Sequence, residues 1–170
     1  PDDDTLPEVP HFVAIDENSG YWFVTTIQGG FVGMYSLEAD TLLSSVEIGD
    51  SPALLAVDPV NKILYVSRMM SMMGELGGLE PNINALDYSS GGLVEMNDIS
   101  VANENGYFPE PHAISLHHHA SRPSATLITA SITEDWFSRI DLLDGMNTPL
   151  NGPMYEDTPE MVGLGAGVLS

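Results

Sequence analysis

Residues 52–68 read PALLAVDPVNKILYVSR, two runs of apolar and β-branched residues separated by a short polar segment. Each run has the length and composition of a β-strand. Pro59 and Asn61 favour a turn between the two runs, because proline fixes its own backbone and asparagine tolerates turn conformations. The stretch therefore predicts an antiparallel hairpin.

Much the same phrase occurs twice more in the chain. PHFVAIDENSGYWFVTT begins at residue 10, which is 52 − 10 = 42 residues earlier. It aligns with residues 52–68 without a gap, so that Asp16 matches Asp58 and Thr25 matches Ser67. PHAISLHHHASRPSATLITAS begins at residue 111 and contains a short insertion before its second run. The sequence is therefore built from internal repeats.

A second pair of strand-like runs follows each phrase, for example FVGMYSLEA and LLSSVEIG after the first. The runs are bounded by Gly, Asn, Asp and Ser, and no long helical periodicity competes with them. A repeat of about 40–45 residues with four strands is typical of a β-propeller blade. The prediction is an all-β, partial β-propeller of about three four-stranded antiparallel blades.

The stretch VEIGDSPALLAVDPVNKILYVSR resembles the YVTN-type β-propeller repeat, in which a Gly-x-x-Pro segment leads to a strand, a turn and a second strand ending in Tyr-Val-x-x. The resemblance covers roughly residues 10–145. It departs from the usual Pro-Asp-Gly turn at residues 16–20 and 59–62, which still supply turn-forming residues. The resemblance implies a propeller of about seven blades and an exported protein of the periplasm or the cell surface.

The repeats divide the chain into five segments. Residues 1–9 resemble an acidic, proline-rich linker, residues 10–51 form the first predicted blade, and residues 52–104 form the second. Residues 105–150 form the third, and residues 151–170 are an irregular segment or the start of a further blade. Because closed propellers need about four to eight blades, we expect further blades from the same polypeptide or from an oligomer.

The charge balance is strongly acidic, with 4 basic residues, 25 acidic residues and a net charge of −21. Such a surface repels phosphate groups, so nucleic acids and anionic membranes are not expected as partners. The sequence has no cysteine, which excludes disulfides and thiolate metal sites. No apolar run reaches the roughly 20 residues that a membrane helix needs.

Strand alternation places several soft-metal ligands at one end of the blades. In a meander of strands A to D, the connections D–A and B–C share one end. His11 and His112 begin strand A of their blades, and the long B–C loop of the second blade should project from the same end. Imidazole and thioether groups suit copper, although the histidines could instead serve as strand-start hydrogen-bonding groups and the loop as an apolar contact surface. The candidate copper ligands are His11, His112, Met69, Met70, Met72 and Met73.

A second candidate is the run His117-His118-His119 at the opposite, A–B end of the third blade. Neighbouring residues of a strand point to opposite faces, so the three imidazoles cannot converge on one ion. His117 and His119 could act together on Zn or Cu, and a polar surface turn is the alternative.

Motifs of known catalytic families are missing from the sequence, which has no P-loop, no HExxH and no Gly-x-Ser-x-Gly. The sequence therefore favours a noncatalytic binding or scaffold module that presents one propeller end to a protein partner and needs no cofactor. A copper protein is the first alternative. A hydrolase or lyase whose site needs further blades is the weaker one.

Overall fold

The computed structural model describes residues 9–49, 51–68, 82–101, 110–120, 124–132, 137–143, 148–149 and 154–155. All regular structure within these residues is β-strand, which confirms the all-β prediction. No helix among them is long and apolar enough to cross a membrane. The strands form three separate antiparallel sheets that follow one another along the chain.

The first sheet, here called the first blade, is a four-stranded meander in the order β1-β2-β3-β4. Its strands are β1 (Pro10–Asp16), β2 (Tyr21–Thr26), β3 (Phe31–Ser36) and β4 (Leu42–Glu47). Tight turns join them, and Gly20 and Gly30 adopt positive φ angles of 73° and 71° there. Such angles are readily reached by glycine because it has no Cβ.

The second blade repeats this order and adds a short strand. Its strands are β5 (Pro52–Asp58), β6 (Ile63–Arg68), β7 (Asn82–Asp87), β8 (Val94–Glu95) and β9 (Ile99–Ser100). Both β8 and β9 pair with β7, so together they form the outermost strand of the sheet. The methionine-rich segment between β6 and β7 lies outside the described residues.

The third blade contains the remaining five strands. They are β10 (Pro111–His118), β11 (Ser124–Ser131), β12 (Phe137–Leu143), β13 (Thr148–Pro149) and β14 (Met154–Tyr155). Again two short strands, β13 and β14, pair with the third strand of the meander. Three consecutive four-stranded units are therefore present, as the repeat predicted.

The blades stack face to face in chain order, with β5 lying between β1 and β10. Alternate side chains of the second blade point to opposite faces, so Leu64 and Val66 face the first blade while Ile63 and Tyr65 face the third. One apolar core thus separates the first and second blades, and another separates the second and third. The first core contains the buried residues Phe23, Val32, Met34, Ile48, Leu55, Leu64, Val66, Leu86 and Tyr88.

A strained backbone residue precedes the opening proline of every blade. Val9, Ser51 and Glu110 have positive φ angles of 63°, 43° and 40°. Positive φ is uncommon for residues other than glycine, and for a β-branched residue such as Val9 it is an outlier. In the first and third blades the carbonyl of this residue accepts a backbone hydrogen bond. The Val9 carbonyl accepts from Ile27 at 3.1 Å, and the Glu110 carbonyl accepts from Ile132 at 3.2 Å. The repeat therefore includes a fixed backbone geometry where each first strand starts.

Candidate functional site

His11 and His112 lie together at one end of the stacked blades. Each is the second residue of the first strand of its blade, and their ring centroids are 6.0 Å apart with the ring planes at 62°. The ladder register shifts directly after Pro10 and after Pro111, so both histidines are skipped in the strand pairing. The structure thus brings together two side chains that are 101 positions apart in the chain (112 − 11 = 101).

The His112 imidazole is buried, with 8% of the residue exposed, and neither of its ring nitrogens has a hydrogen-bond partner. Burial lowers the pKa of His112, and the neighbouring His11 lowers it further. The imidazole is therefore neutral at pH 7 and keeps a lone pair on one nitrogen. Since a buried polar group without a partner is costly, this ring is the most distinctive polar feature of the D–A end.

The geometry of the His11–His112 pair restricts how it could hold a metal ion. With a metal–nitrogen bond of about 2.1 Å and about 1.2 Å from nitrogen to ring centre, a 6.0 Å centroid separation requires an N–metal–N angle of about 130°. That angle is wider than a tetrahedral site provides. Within the described residues, no group of three or more His, Cys, Asp or Glu side chains could hold a metal. The remaining predicted ligands, Met69, Met70, Met72 and Met73, fall outside the described residues, and copper at this end remains a prediction.

Hydroxyl groups of the preceding blade position the backbone at this end. Thr25 Oγ1 donates to the Ala53 carbonyl at 2.7 Å, and Ser67 Oγ donates to the His112 carbonyl in the same way. Each hydroxyl also accepts a backbone N–H of its own blade, from Phe12 to Thr25 at 3.1 Å and from Leu54 to Ser67 at 3.0 Å. The sequence aligned Thr25 with Ser67 but gave no role to either. Their role could have been inferred from the sequence, because a hydroxyl residue recurs just before the end of the second strand in both repeats.

Buried aspartates organise the opposite, A–B end. Asp16 Oδ1 accepts the backbone N–H groups of Asn18 and Ser19 at 3.1 and 3.2 Å. Asp58 Oδ1 accepts those of Val60 and Asn61 at 3.0 and 2.9 Å. Both aspartates therefore cap the hairpin turn of their own blade, the side-chain-to-backbone bonding typical of aspartate in turns.

A side chain of the following blade then reaches each aspartate. Lys62 Nζ lies 3.2 Å from Asp16 Oδ2, and His118 Nε2 lies 3.0 Å from Asp58 Oδ1. The Tyr88 hydroxyl also donates to Asp16 Oδ2 at 2.9 Å. Burial acts to raise the pKa of Asp16, but the hydrogen bonds from Ser19, Tyr88 and Lys62 outweigh it and lower that pKa below its usual value. Polar contacts therefore link consecutive blades at both ends.

The three consecutive histidines divide between two faces, as strand alternation predicted. His118 turns toward Asp58 of the second blade. The rings of His117 and His119 lie together, with centroids 4.8 Å apart and planes at 89°. His117 occupies the position that Asp16 and Asp58 hold in the other blades, six residues after the opening proline. The third blade has thus replaced its turn-capping carboxylate with an imidazole.

Comparisons with known proteins identify the architecture. No family model matches the sequence, and no curated protein matches it either. Solved structures do match: hydrazine synthase of Kuenenia stuttgartiensis with 14% identity and a TM-score of 0.58, the Dos1 propeller with 12% and 0.60, and the Cps50 (Swd1) β-propeller domain of Myceliophteria thermophila with 10% and 0.60. These alignments cover 86%, 89% and 88% of this chain.

The chain spans 38%, 36% and 39% of the length of these three proteins, respectively. Identities this low show the fold alone. The three stacked sheets are therefore blades of a partial β-propeller, and the fold prediction is confirmed. The finer resemblance to the YVTN-type repeat rests on the sequence motifs.

Proposed function

We propose that this chain is a noncatalytic binding or scaffold module of an exported β-propeller protein and acts by contacting other protein surfaces. Two surfaces support the proposal: the outer face of the first blade, and the D–A end where His11 lies. The acidic surface and the YVTN-type motifs of residues 10–145 support a location in the periplasm or at the cell surface. Fractionation of cells that produce the tagged, complete protein tests that location.

The outer face of the first blade carries the proposal. Val13 and Ile15 are 51% and 53% exposed there, although the aligned residues Leu55 and Val57 of the second blade pack into the core against the first blade. Trp22 stacks on Tyr35 with ring centroids 4.1 Å apart. The positions that join blades elsewhere in the chain thus remain apolar and uncovered here. Contiguous exposed apolar surface of this kind marks a protein-binding face.

The occupant that this face fits is a further four-stranded propeller blade. In the second blade, the corresponding face meets Phe23 and Ala14 of the first blade. The far face of the third blade has Ile128 in place of Phe23 but Thr126 in place of Tyr21 and Ser115 in place of Ala14. It is therefore less apolar than the internal surfaces. The outer face of the first blade is therefore matched better by a propeller blade outside these three than by the third blade of a second copy.

The D–A end is the surface that we propose is presented to a separate partner. Val9 and Phe12 are exposed at this end beside His11, so the end presents both apolar and polar groups. Solved neighbours include a chain in the crystal structure of the mitotic checkpoint complex, with 16% identity over 71% of this chain and a TM-score of 0.51. This resemblance concerns the fold, and the choice of surface rests on the exposed residues.

Nile red binding tests the outer face. The dye is uncharged, so the net charge of −21 does not repel it. We expect fluorescence enhancement with the folded chain that V13E/I15E removes. Val60→Glu is the matched control, because Val60 is 71% exposed in the turn of the second blade, away from this face. Equal dye binding by V13E/I15E and the wild type would contradict the proposal.

Copper binding at the D–A end is a second candidate function. It is favoured by one observation, the buried His112 imidazole that has no hydrogen-bond partner and faces His11. Thioethers of Met69, Met70, Met72 and Met73 would suit Cu(I) as further ligands. Competition of the chain with a colorimetric Cu(I) chelator tests this candidate. Loss of competition in both H11A/H112A and a variant with these four methionines changed to leucine is the expected result, and retention in either would contradict it.

A further inference from the structure

The two junctions between blades share one hydrogen bond at the D–A end. Its donor is the hydroxyl of the next-to-last residue of a blade's second strand, which is Thr25 in the first blade and Ser67 in the second. Its acceptor is the carbonyl of the second residue of the following blade, Ala53 or His112. The donor lies in the earlier blade and the acceptor in the later one, so the bond gives each junction a direction.

The first blade carries the acceptor position of this bond on its outer side. His11 is equivalent to Ala53 and His112, because it follows an opening proline, a residue of positive φ precedes that proline, and the strand pairing skips it. Ala53 and His112 are buried at their junctions, whereas His11 is exposed. A blade that packs on the outer face of the first blade in the same way therefore brings a hydroxyl to the His11 carbonyl.

The third blade cannot supply this hydroxyl. Ala130 is the next-to-last residue of β11 and holds the position of Thr25 and Ser67. A third blade from a second copy would therefore cover the first blade without donating a side-chain hydrogen bond to the His11 carbonyl. This bond distinguishes a propeller blade outside these three from the third blade of another copy.

At the A–B end, two donors of the second blade meet the buried carboxylate of the first. Lys62 Nζ and the Tyr88 hydroxyl lie 3.2 and 2.9 Å from Asp16 Oδ2. The backbone N–H of Tyr88 donates to the Lys62 carbonyl at 2.9 Å. In the first blade, the N–H of Leu37 donates to the Gly20 carbonyl at 2.8 Å. Gly20 and Leu37 therefore hold the positions of the two donors in the first blade.

The first blade offers a carboxylate no donor at these positions, because glycine and leucine have no polar side chain. The third blade reaches Asp58 with His118, which lies seven residues after the opening proline. The first blade has Glu17 at that position, an exposed acid that repels a second carboxylate. Since a buried charge without a partner is costly, a blade that packs here should have an uncharged residue at its turn-capping position.

We propose that the first blade selects its neighbouring blade through these two positions. The neighbour carries Ser or Thr at the next-to-last residue of its second strand, and an uncharged residue where the first and second blades carry the turn-capping Asp16 and Asp58. This selectivity rests on the proposed function, in which the outer face binds a further blade, and adds which blade fits. The apolar contacts provide the buried area, while the hydroxyl and the uncharged turn determine which blade can provide it.

A tandem duplication of residues 10–51 tests the selectivity in the complete chain. In the duplicated protein, residues 1–51 are followed by residues 10–170, so an upstream copy of the first blade can pack on the outer face of the downstream copy. The upstream Thr25 can then donate to the downstream His11 carbonyl. The upstream Asp16, in contrast, faces the three downstream positions that offer it no donor.

The turn-capping position should respond with opposite signs in the two copies. Upstream Asp16→Asn should raise the melting temperature by about 2–4 °C, because the amide oxygen still caps the turn and no charge is buried at the new junction. Downstream Asp16→Asn is the matched control and should lower the melting temperature, since Lys62 and Tyr88 need the carboxylate. A fall or no change with the upstream variant would overturn the preference for an uncharged residue.

The hydroxyl is tested in the duplicated chain that carries upstream Asp16→Asn. Upstream Thr25→Val should lower the melting temperature by about 2–4 °C. Upstream Thr25→Ser keeps the hydroxyl and should change the melting temperature less. Circular dichroism verifies that each variant is folded. Equal melting temperatures for the Val and Ser variants would overturn the role of the hydroxyl at this junction.

V13E/I15E separates the selectivity from the proposed function. In the downstream copy these residues lie at the new junction, so the double variant should lower the melting temperature. In the upstream copy they remain exposed, and the same variant is the control. Equal effects in the two copies would contradict the binding of a blade and with it the proposed function. A downstream loss without any response at Asp16 and Thr25 would overturn the selectivity alone.

Discussion

Lys62 of the second blade lies 3.2 Å from the buried carboxylate of Asp16 in the first, and its ammonium group also contacts the Ser19 hydroxyl. The Asp16 side chain is 1% exposed and the Lys62 side chain 31%. One carboxylate therefore closes a turn within its blade and joins that blade to the next. Because Asp16 has both roles, it is the polar residue at the A–B end whose replacement we expect to destabilise the fold most.

We expect Asp16→Asn to destabilise the chain by about 2–3 kcal/mol, because an amide nitrogen cannot accept the hydrogen bonds from Tyr88 and Lys62. Lys62→Met should cost less, since the lysine is partly solvated. Urea unfolding curves measure both changes. Glu17→Gln removes the adjacent, exposed carboxylate and should be neutral. A neutral result for Asp16→Asn would show that the contact between blades contributes nothing to stability.

The pKa of Asp16 gives this contact a pH dependence with a definite sign. The folded-state pKa lies below 3.8, the ordinary value of an aspartate, so the stabilisation is complete above about pH 4 and is lost as the pH falls through the folded-state pKa. Asp16→Asn should accordingly flatten the acid limb of a melting-temperature profile. An unchanged acid limb in that variant would contradict the assignment.

His112 predicts a second pH effect near neutrality. Its pKa is lowered by burial and by His11. The His112 imidazole therefore binds a proton more readily in the unfolded chain than in the folded chain. Stability should therefore be complete above about pH 6.5, the usual histidine pKa, and should fall as the solution is acidified through that value toward the folded-state pKa. NMR titration of the His112 ring should give a midpoint below 6.5, and a midpoint above it would refute the prediction.

The hydroxyls that link blades at the D–A end should contribute measurably to stability. Replacing Thr25 by Val leaves the buried Ala53 carbonyl without its donor and should cost about 1–2 kcal/mol. Thr25→Ser keeps the hydroxyl and should cost less. Ser45→Ala, at an exposed position of β4, is the control for thermal unfolding measurements. Equal melting temperatures for the Val and Ser variants would show that the bond to Ala53 is unimportant.

The strained residues that precede the opening prolines suggest a stabilising change. Ser51 has a φ of 43°, which glycine adopts without a steric penalty. Ser51→Gly should therefore stabilise the fold by a few tenths to about 1 kcal/mol, the relief of strain being partly offset by the greater entropy of the unfolded chain. Ser45→Gly, in a regular strand, should destabilise. If Ser51→Gly lowers the melting temperature, the positive φ is not a source of strain.

The sequence predicted the repeat, the number of blades and the ends at which the histidines lie. Alignment of Asp16 with Asp58 marked both turn-capping residues, because turn chemistry is local. The contacts between blades could not be predicted in this way. Tyr88 reaches Asp16 across 72 positions, and the bond depends on how two sheets are placed against each other. The hydrogen bonds that join His119 to Thr126 and Thr126 to Asp141 were missed for the same reason, since they require the register of three strands.

Sedimentation velocity over a range of protein and salt concentrations tests the binding face of the first blade most directly. When the chain is purified without a further blade, the exposed Val13 and Ile15 can be buried by association with the same face of a second copy. Salt screens the repulsion between chains of net charge −21. The wild type should therefore associate increasingly with protein and salt concentration, while V13E/I15E stays monomeric and V60E behaves as the wild type. A wild-type chain that remains monomeric throughout, or a V13E/I15E variant that associates equally, would contradict the account.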